Sequence, residues 1–184
     1  MKATEILMEE HRVIERVLNA LERASNRLSR GEDVYLRFFT GTAVFIKGFA
    51  DGCHHKKEEA VLFPAMVKNG LSTDSGPIAV MLAEHEEGRR LAQGMRMAAE
   101  RFQAGDVRMR EGLVNNARAY INLLHQHIAK EDKVLFPMAN KIIPPAEQEV
   151  ILSAFEKFER DETGDEMHAK YYGLAERLEK ECLR

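Results

Sequence analysis

The sequence has 184 residues, enough for one domain with a full core, since folding at this size buries about 70% of the unfolded chain's surface. Its 27 basic and 30 acidic residues are intermixed and leave a formal net charge of -3, which excludes a basic footprint for nucleic acid or an anionic membrane. Two cysteines, Cys53 and Cys182, are too few for a disulfide framework and fit a reducing compartment, with Cys53 next to His54 leaving some room for redox or ligand work.

In chain order, the opening residues reach charge too soon for a signal peptide. No run of about 18 apolar residues occurs anywhere, so a soluble, cytoplasmic protein is expected. A first helix is predicted over 4–29, with Leu7, His11, Ile14, Leu18, Leu21 and Leu28 at the spacing of a bundle seam. A second is predicted over 33–69, ending at Gly70, with a kink at Pro64 where proline cannot donate the intrahelical bond. Gly41, Gly48 and Gly52 weaken its first half.

Pro77 opens a third helix to about residue 103. It repeats the first at an offset of 74: Met81, His85, Gly88, Ala92, Met95 and Phe102 stand where Leu7, His11, Ile14, Leu18, Leu21 and Leu28 stood. A fourth helix, over 106–141, carries the seam Leu113, Ala117, Tyr120, Leu124, His127, Glu131, Val134 and Met138. Short loops between long helices favour antiparallel neighbours, so the expected fold is all-α: an up-down-up-down four-helix bundle over 1–141. A C-terminal helical extension over 142–184 would pack on it, with a short helix from Pro144-Pro145 to about residue 160, a break at 161–164 and a last helix to about 180.

The second and fourth helices share the strongest motif. His54-His-Lys-Lys-Glu58-Glu-Ala-Val-Leu-Phe-Pro64 and His127-Ile-Ala-Lys-Glu131-Asp-Lys-Val-Leu-Phe-Pro137 match at seven of eleven positions when slid by 73. On a helix, residues four apart share a face, so each copy aims an imidazole and a carboxylate at one point. Every predicted bundle helix thus puts ligand-type residues on its apolar seam: His11, His54 and Glu58, His85, and His127 and Glu131. Six such groups converging in a core destabilise it by several kcal/mol unless they bind one another or a cation.

Imidazoles with two carboxylates suit iron, with Mn, Co or Zn possible, whereas Ca or Mg would take nearly all oxygen donors. If Glu58 and Glu131 each bridge two metals, every metal has four protein donors, and an oxo or hydroxo bridge still leaves an open position for a small diatomic molecule or a peroxide.

At these residues the chain resembles the hemerythrin-like family, the HHE cation-binding domain, over residues 1 to 141. The resemblance implies a non-haem di-iron centre, two irons per chain, with His11, His54, Glu58, His85, His127 and Glu131 as ligands. The expected function is to bind or sense dioxygen or a related small oxidant such as peroxide or nitric oxide. Alternatives are a di-iron oxidoreductase acting on peroxide or nitric oxide, and an iron-holding protein without turnover. The oxygen-carrying hemerythrins have a second His one turn from the first on the third helix, whereas Met81 and Arg89 flank His85 here. One ligand is therefore missing or replaced, by water or by Tyr120.

His55 with Glu59 offers another register, but the repeat aligns His54 with His127. Glu59 and Asp132 are either partners of ligand imidazoles or solvated surface. His125 is expected at the surface. Tyr120 either packs or lines a ligand pocket, and His168, Tyr171 and Tyr172 share a helical face that covers one end of the bundle.

Overall fold

The structure is a computed structural model and describes residues 2–160 and 167–184. Among them there is no strand. The helices are α1 (Ala3–Ser29), α2 (Arg37–Phe45), α3 (Phe63–Lys68), α4 (Gly76–Gln103), α5 (Met109–Lys130), α6 (Phe136–Ile142), α7 (Pro145–Phe158) and α8 (Met167–Glu181). Three π-helical stretches, π1 (Ile46–His55), π2 (Glu58–Leu62) and π3 (Glu131–Leu135), join α2 to α3 and α5 to α6. Two continuous rods over 37–68 and 109–142 result, and together with α1 and α4 they form the four-helix bundle. The break expected at 161–164 lies outside the described residues.

The kink expected at Pro64 takes a specific form. Proline lacks an N–H and its ring collides with the carbonyl four residues back. Widening the preceding turn to i→i+5 bonding moves that carbonyl away, and the Phe63 N–H donates to the Glu58 carbonyl instead. The same device precedes Pro137, where Phe136 donates to the Glu131 carbonyl.

An extra residue per turn also moves the buried stripe. The sequence puts Val134 and Met138 on the seam after Glu131, but Val134 is 53% exposed and Leu135, Phe136 and Ala139 are buried instead. An unbroken α-helical period was the wrong rule for that turn.

Two apolar layers flank the polar residues. One holds Leu18, Leu21, Phe45, Phe49, Met95 and Leu124; the other holds Leu7, Phe63, Met66, Met81, Phe136 and Phe155. His11 lies between Leu7 and Ile14 in chain order, and His85 between Met81 and Gly88. The histidines and glutamates therefore form one layer between two dry ones.

The glycines of the second rod are where α8 docks. A Cβ on Gly48 would lie 1.7 Å from the Tyr171 hydroxyl, and one on Gly41 would lie 3.3 Å from Leu178. Leu174, Ala175, Leu178 and Cys182 are buried in the bundle's larger apolar layer. Gly48→Ala is expected to displace Tyr171 and destabilise the protein by about 1–3 kcal/mol. Thermal unfolding measures the loss, and faster proteolysis within α8 should accompany it; an unchanged midpoint would show that α8 docks without this contact.

Candidate metal centre

The side chains of His11, His54, Glu58, His85, His127 and Glu131 are each at most 2% exposed. Two groups have ligand atoms within 4.8 Å of one another: His11, His54, Glu58 and Glu131, and His55, Glu58, His85 and His127. Glu58 belongs to both. Its Oε1 lies 3.7 Å from His54 Nε2 and its Oε2 lies 3.4 Å from His85 Nε2. Glu131 spans the centre in the same way, with Oε2 3.1 Å from His11 Nε2 and Oε1 3.3 Å from His127 Nε2. The structure thus brings all six residues together, with both glutamates facing two ways.

What the outer nitrogens do fixes the chemistry of the inner ones. His11 Nδ1 lies 2.7 Å from Asp132, His54 Nδ1 2.9 Å from Glu10, His85 Nδ1 2.7 Å from Glu59, and His127 Nδ1 3.0 Å from Glu84. A carboxylate only accepts, so each Nδ1 carries the proton and donates it. In the neutral tautomer each Nε2 then turns a lone pair inward, the orientation that carboxylate partners impose on metal-binding histidines.

Each carboxylate is itself held by a cation. Arg12 donates to Asp132, Lys57 to Glu10, Lys130 to Glu84, and Arg89 to Glu59 at 2.6 Å. The pattern is two-fold. Glu10 and Glu84 precede His11 and His85 at the repeat's offset of 74, and Glu59 and Asp132 follow Glu58 and Glu131 at its offset of 73. Of the four, Glu59 and Asp132 were open candidates in the sequence; Glu10 and Glu84 were missed, although the repeated Glu-His pair carried the signal.

Inside the ring of histidines the polar atoms are stranded. His11 Nε2, His54 Nε2 and all four carboxylate oxygens of Glu58 and Glu131 find no hydrogen-bond partner among the described residues. His85 Nε2 and His127 Nε2 face each other at 3.2 Å. Each buried polar atom without a partner costs about 1–3 kcal/mol. Burial disfavours charge on Glu58, yet His54 and His85 hold its carboxyl down to about 2. Burial likewise opposes charge on His11, but the carboxylates of Asp132 and Glu131 beside it push it up to about 9; at His85, Glu58 and Glu59 overcome burial to the same value. The layer demands positive charge at its centre, from protons or from a cation.

These donors fit a first-row transition metal. Inward imidazole nitrogens and two carboxylates, each with an oxygen toward either group, are nitrogen–oxygen sets of the kind iron takes.

A third cluster, Glu10, Cys53, Glu159 and His168, lies beside the centre. The Lys57 ammonium donates to both Glu10 and Glu159 there, so the cluster is built as an ion-pair network. Lys57 is fully buried, and its Nζ lies 5.7 Å from the Phe155 ring centroid. His168 extends the network with Nε2 3.2 Å from Glu159. Lys57→Met would leave the Glu10 carboxylate buried with His54 at 2.9 Å and His168 at 4.0 Å as its neighbours. A loss of about 3–5 kcal/mol in urea unfolding is expected; a loss below about 1 kcal/mol would show the ion pair to be dispensable.

Among the remaining residues, His125 is exposed. Tyr120 is 1% exposed, and its hydroxyl finds no partner among the described residues. It lines a cavity of about 390 Å³ together with Ala43, Ile46, Asp51, His55 and Arg89. His168 stacks edge-on against Tyr172, and Tyr171 packs against Phe45 and Phe49.

The hemerythrin HHE cation-binding domain matches residues 2–139, a span that holds both His-x3-Glu copies, His11 and His85. The chain belongs to this family. The HHE chain is also similar to an uncharacterized protein of Mycobacterium tuberculosis (strain H37Rv) and one of Mycobacterium bovis, with 29% identity over 163 residues. That alignment covers 89% of the HHE chain and 63% of each mycobacterial protein. The iron-sulfur cluster repair protein YtfE of Enterobacter sp. (strain 638) is 34% identical over 89 residues, 47% of this chain and 40% of YtfE. The chain therefore spans less than two thirds of the length of these curated relatives. No solved structure matches it. Among the described residues, no helix is long and apolar enough to cross a membrane.

Proposed function

We propose that the HHE chain holds two iron ions between Glu58 and Glu131 and binds or senses dioxygen or a related small oxidant. His11 and His54 would serve one ion, His85 and His127 the other, and both carboxylates would be shared. The observation that carries this reading is Glu58, which belongs to two four-residue groups with an oxygen turned toward each. Residues 1–141 would be the metal-carrying unit and 142–184 an extension, and the free thiols of Cys53 and Cys182 suit a cytoplasmic location.

A bound iron pair would supply open coordination positions and electrons for a diatomic or peroxide ligand. The chain's own contribution is preorganisation. Glu10, Glu59, Glu84 and Asp132 hold the imidazole protons on Nδ1, so the inward nitrogens stay available. The layers of Phe63, Phe136, Leu124 and Phe49 would keep bulk water out, and the cavity lined by His55 and Tyr120 would place a small molecule beside the layer.

The test is the optical spectrum of the reduced iron protein before and after air, peroxide and nitric oxide. A reversible new band is expected. Turnover of peroxide or nitric oxide without a stable adduct would instead make the protein an oxidoreductase. A second reading, iron holding without ligand chemistry, draws on the printed name of YtfE, an iron-sulfur cluster repair protein; it requires that none of the three reagents change the spectrum.

A further inference from the structure

We propose that His55 is a fifth imidazole ligand, completing the metal position formed by His85, His127 and Glu58. The inference rests on the two-metal reading above and concerns a residue that the sequence repeat sets aside.

His55 is 4% exposed, and neither of its ring nitrogens finds a hydrogen-bond partner among the described residues. A histidine kept for packing alone would still satisfy one of them, because a buried polar atom without a partner is destabilising. Its ring stacks on His85 at 3.9 Å between centroids, and a ligand atom of His55 lies within 4.8 Å of those of Glu58, His85 and His127. The ring is therefore held where a ligand would be, with neither nitrogen hydrogen-bonded among the described residues.

The surroundings repeat the design of the other four histidines. His55 Nδ1 lies 3.6 Å from Asp51 Oδ1, one turn back, and Arg89 donates to that same Asp51 oxygen at 2.7 Å. Imidazole, carboxylate and cation stand in the same order as in His85, Glu59 and Arg89. Small rotation of the ring would bring its Nδ1 into hydrogen-bonding range and turn Nε2 toward the centre.

Arg89 ties this part of the site to α4. It sits four residues after His85, on the same face, and from there donates to both Asp51 and Glu59, while His55 comes from the second rod. That rod can present two adjacent histidines because π1 ends at His55: i→i+5 bonding widens the turn and brings neighbouring residues closer to one face. Both His54 and His55 are buried, each toward a different group.

The experiment compares wild-type protein with His55→Ala and His55→Gln, all loaded with iron and titrated with a competing chelator. Wild type should keep two irons per chain. Each variant should release one of the two at a chelator concentration about 10–100-fold lower, and added imidazole should restore retention in His55→Ala, which a packing role would not produce. Variants that hold both irons as tightly as wild type would overturn the inference while leaving the two-metal reading intact; wild type that holds no pair would overturn both. Should neither variant fold, a crystal structure of iron-loaded wild type decides. A His55 nitrogen at about 2.1 Å from a metal is expected, and one beyond hydrogen-bonding distance would end the proposal.

Discussion

Glu58→Ala is expected to abolish retention of the metal pair, taking the iron content from two per chain to near zero after dialysis against chelator. Among the described residues no other belongs to both ligand groups, and its two oxygens are the contacts with His54 on one side and His85 on the other. The substitution also removes negative charge from the centre of a layer that then contains five buried imidazoles, so each remaining position loses charge neutralisation as well as a donor. Glu59→Ala provides the graded comparison. It deletes the carboxylate that accepts from His85 Nδ1 and Arg89 but none of the inward-facing oxygens, and metal affinity should fall about 10–100-fold rather than vanish. Metal analysis on both variants checks the order, and a Glu58→Ala protein that keeps both irons would contradict a shared carboxylate.

Removing iron from the wild type should cost a large part of its thermal stability. A ligand at 1,000 times its dissociation constant stabilises the folded state by about 4 kcal/mol, so two such sites contribute about 8 kcal/mol. For a chain of this size that corresponds to a fall of at least about 15 °C in unfolding midpoint. The physical reason is visible in the layer. Without a cation, the buried oxygens of Glu58 and Glu131 keep only the neighbouring imidazoles to offset their charge and no ligand to satisfy them. Calorimetry of iron-loaded and chelated protein gives the difference directly. A shift under about 2 °C would mean that the polar layer stabilises itself through its own ion pairs and hydrogen bonds.

Much of this arrangement is legible in the sequence because it rests on local rules. Leu7, His11, Ile14, Leu18, Leu21 and Leu28 are all buried as the α-helical period requires, and the glycines and prolines mark most helix ends within a few residues. The six ligand-type residues stand out because each is a polar interruption on an apolar stripe, and all six are buried. What the α-helical period could not deliver was the π-helical stretches. They shift the stripe after Glu131 to Leu135 and Ala139, and they turn His55 inward beside His54.

The carboxylate partners divide along the same line. Glu59 and Asp132 were noticed as neighbours of ligands in sequence. All four act on histidines of other helices, and which histidine each one holds depends on how the rods pack; Glu10 and Glu84 stand next to His11 and His85 in sequence but hold His54 and His127. The role of Gly48 was hidden for a related reason: its partner, Tyr171, lies 123 positions away in the chain. Lys57 carries no signal in the sequence that sets it apart, and it is fully buried between Glu10 and Glu159.

The central claim is that one layer of this bundle holds two metal ions with Glu58 common to both. The most direct test is metal analysis of the wild-type chain produced in iron-rich medium, read together with its Mössbauer spectrum. The account predicts two irons per chain in a magnetically coupled pair. One tightly bound zinc per chain, or a single uncoupled iron, would contradict it.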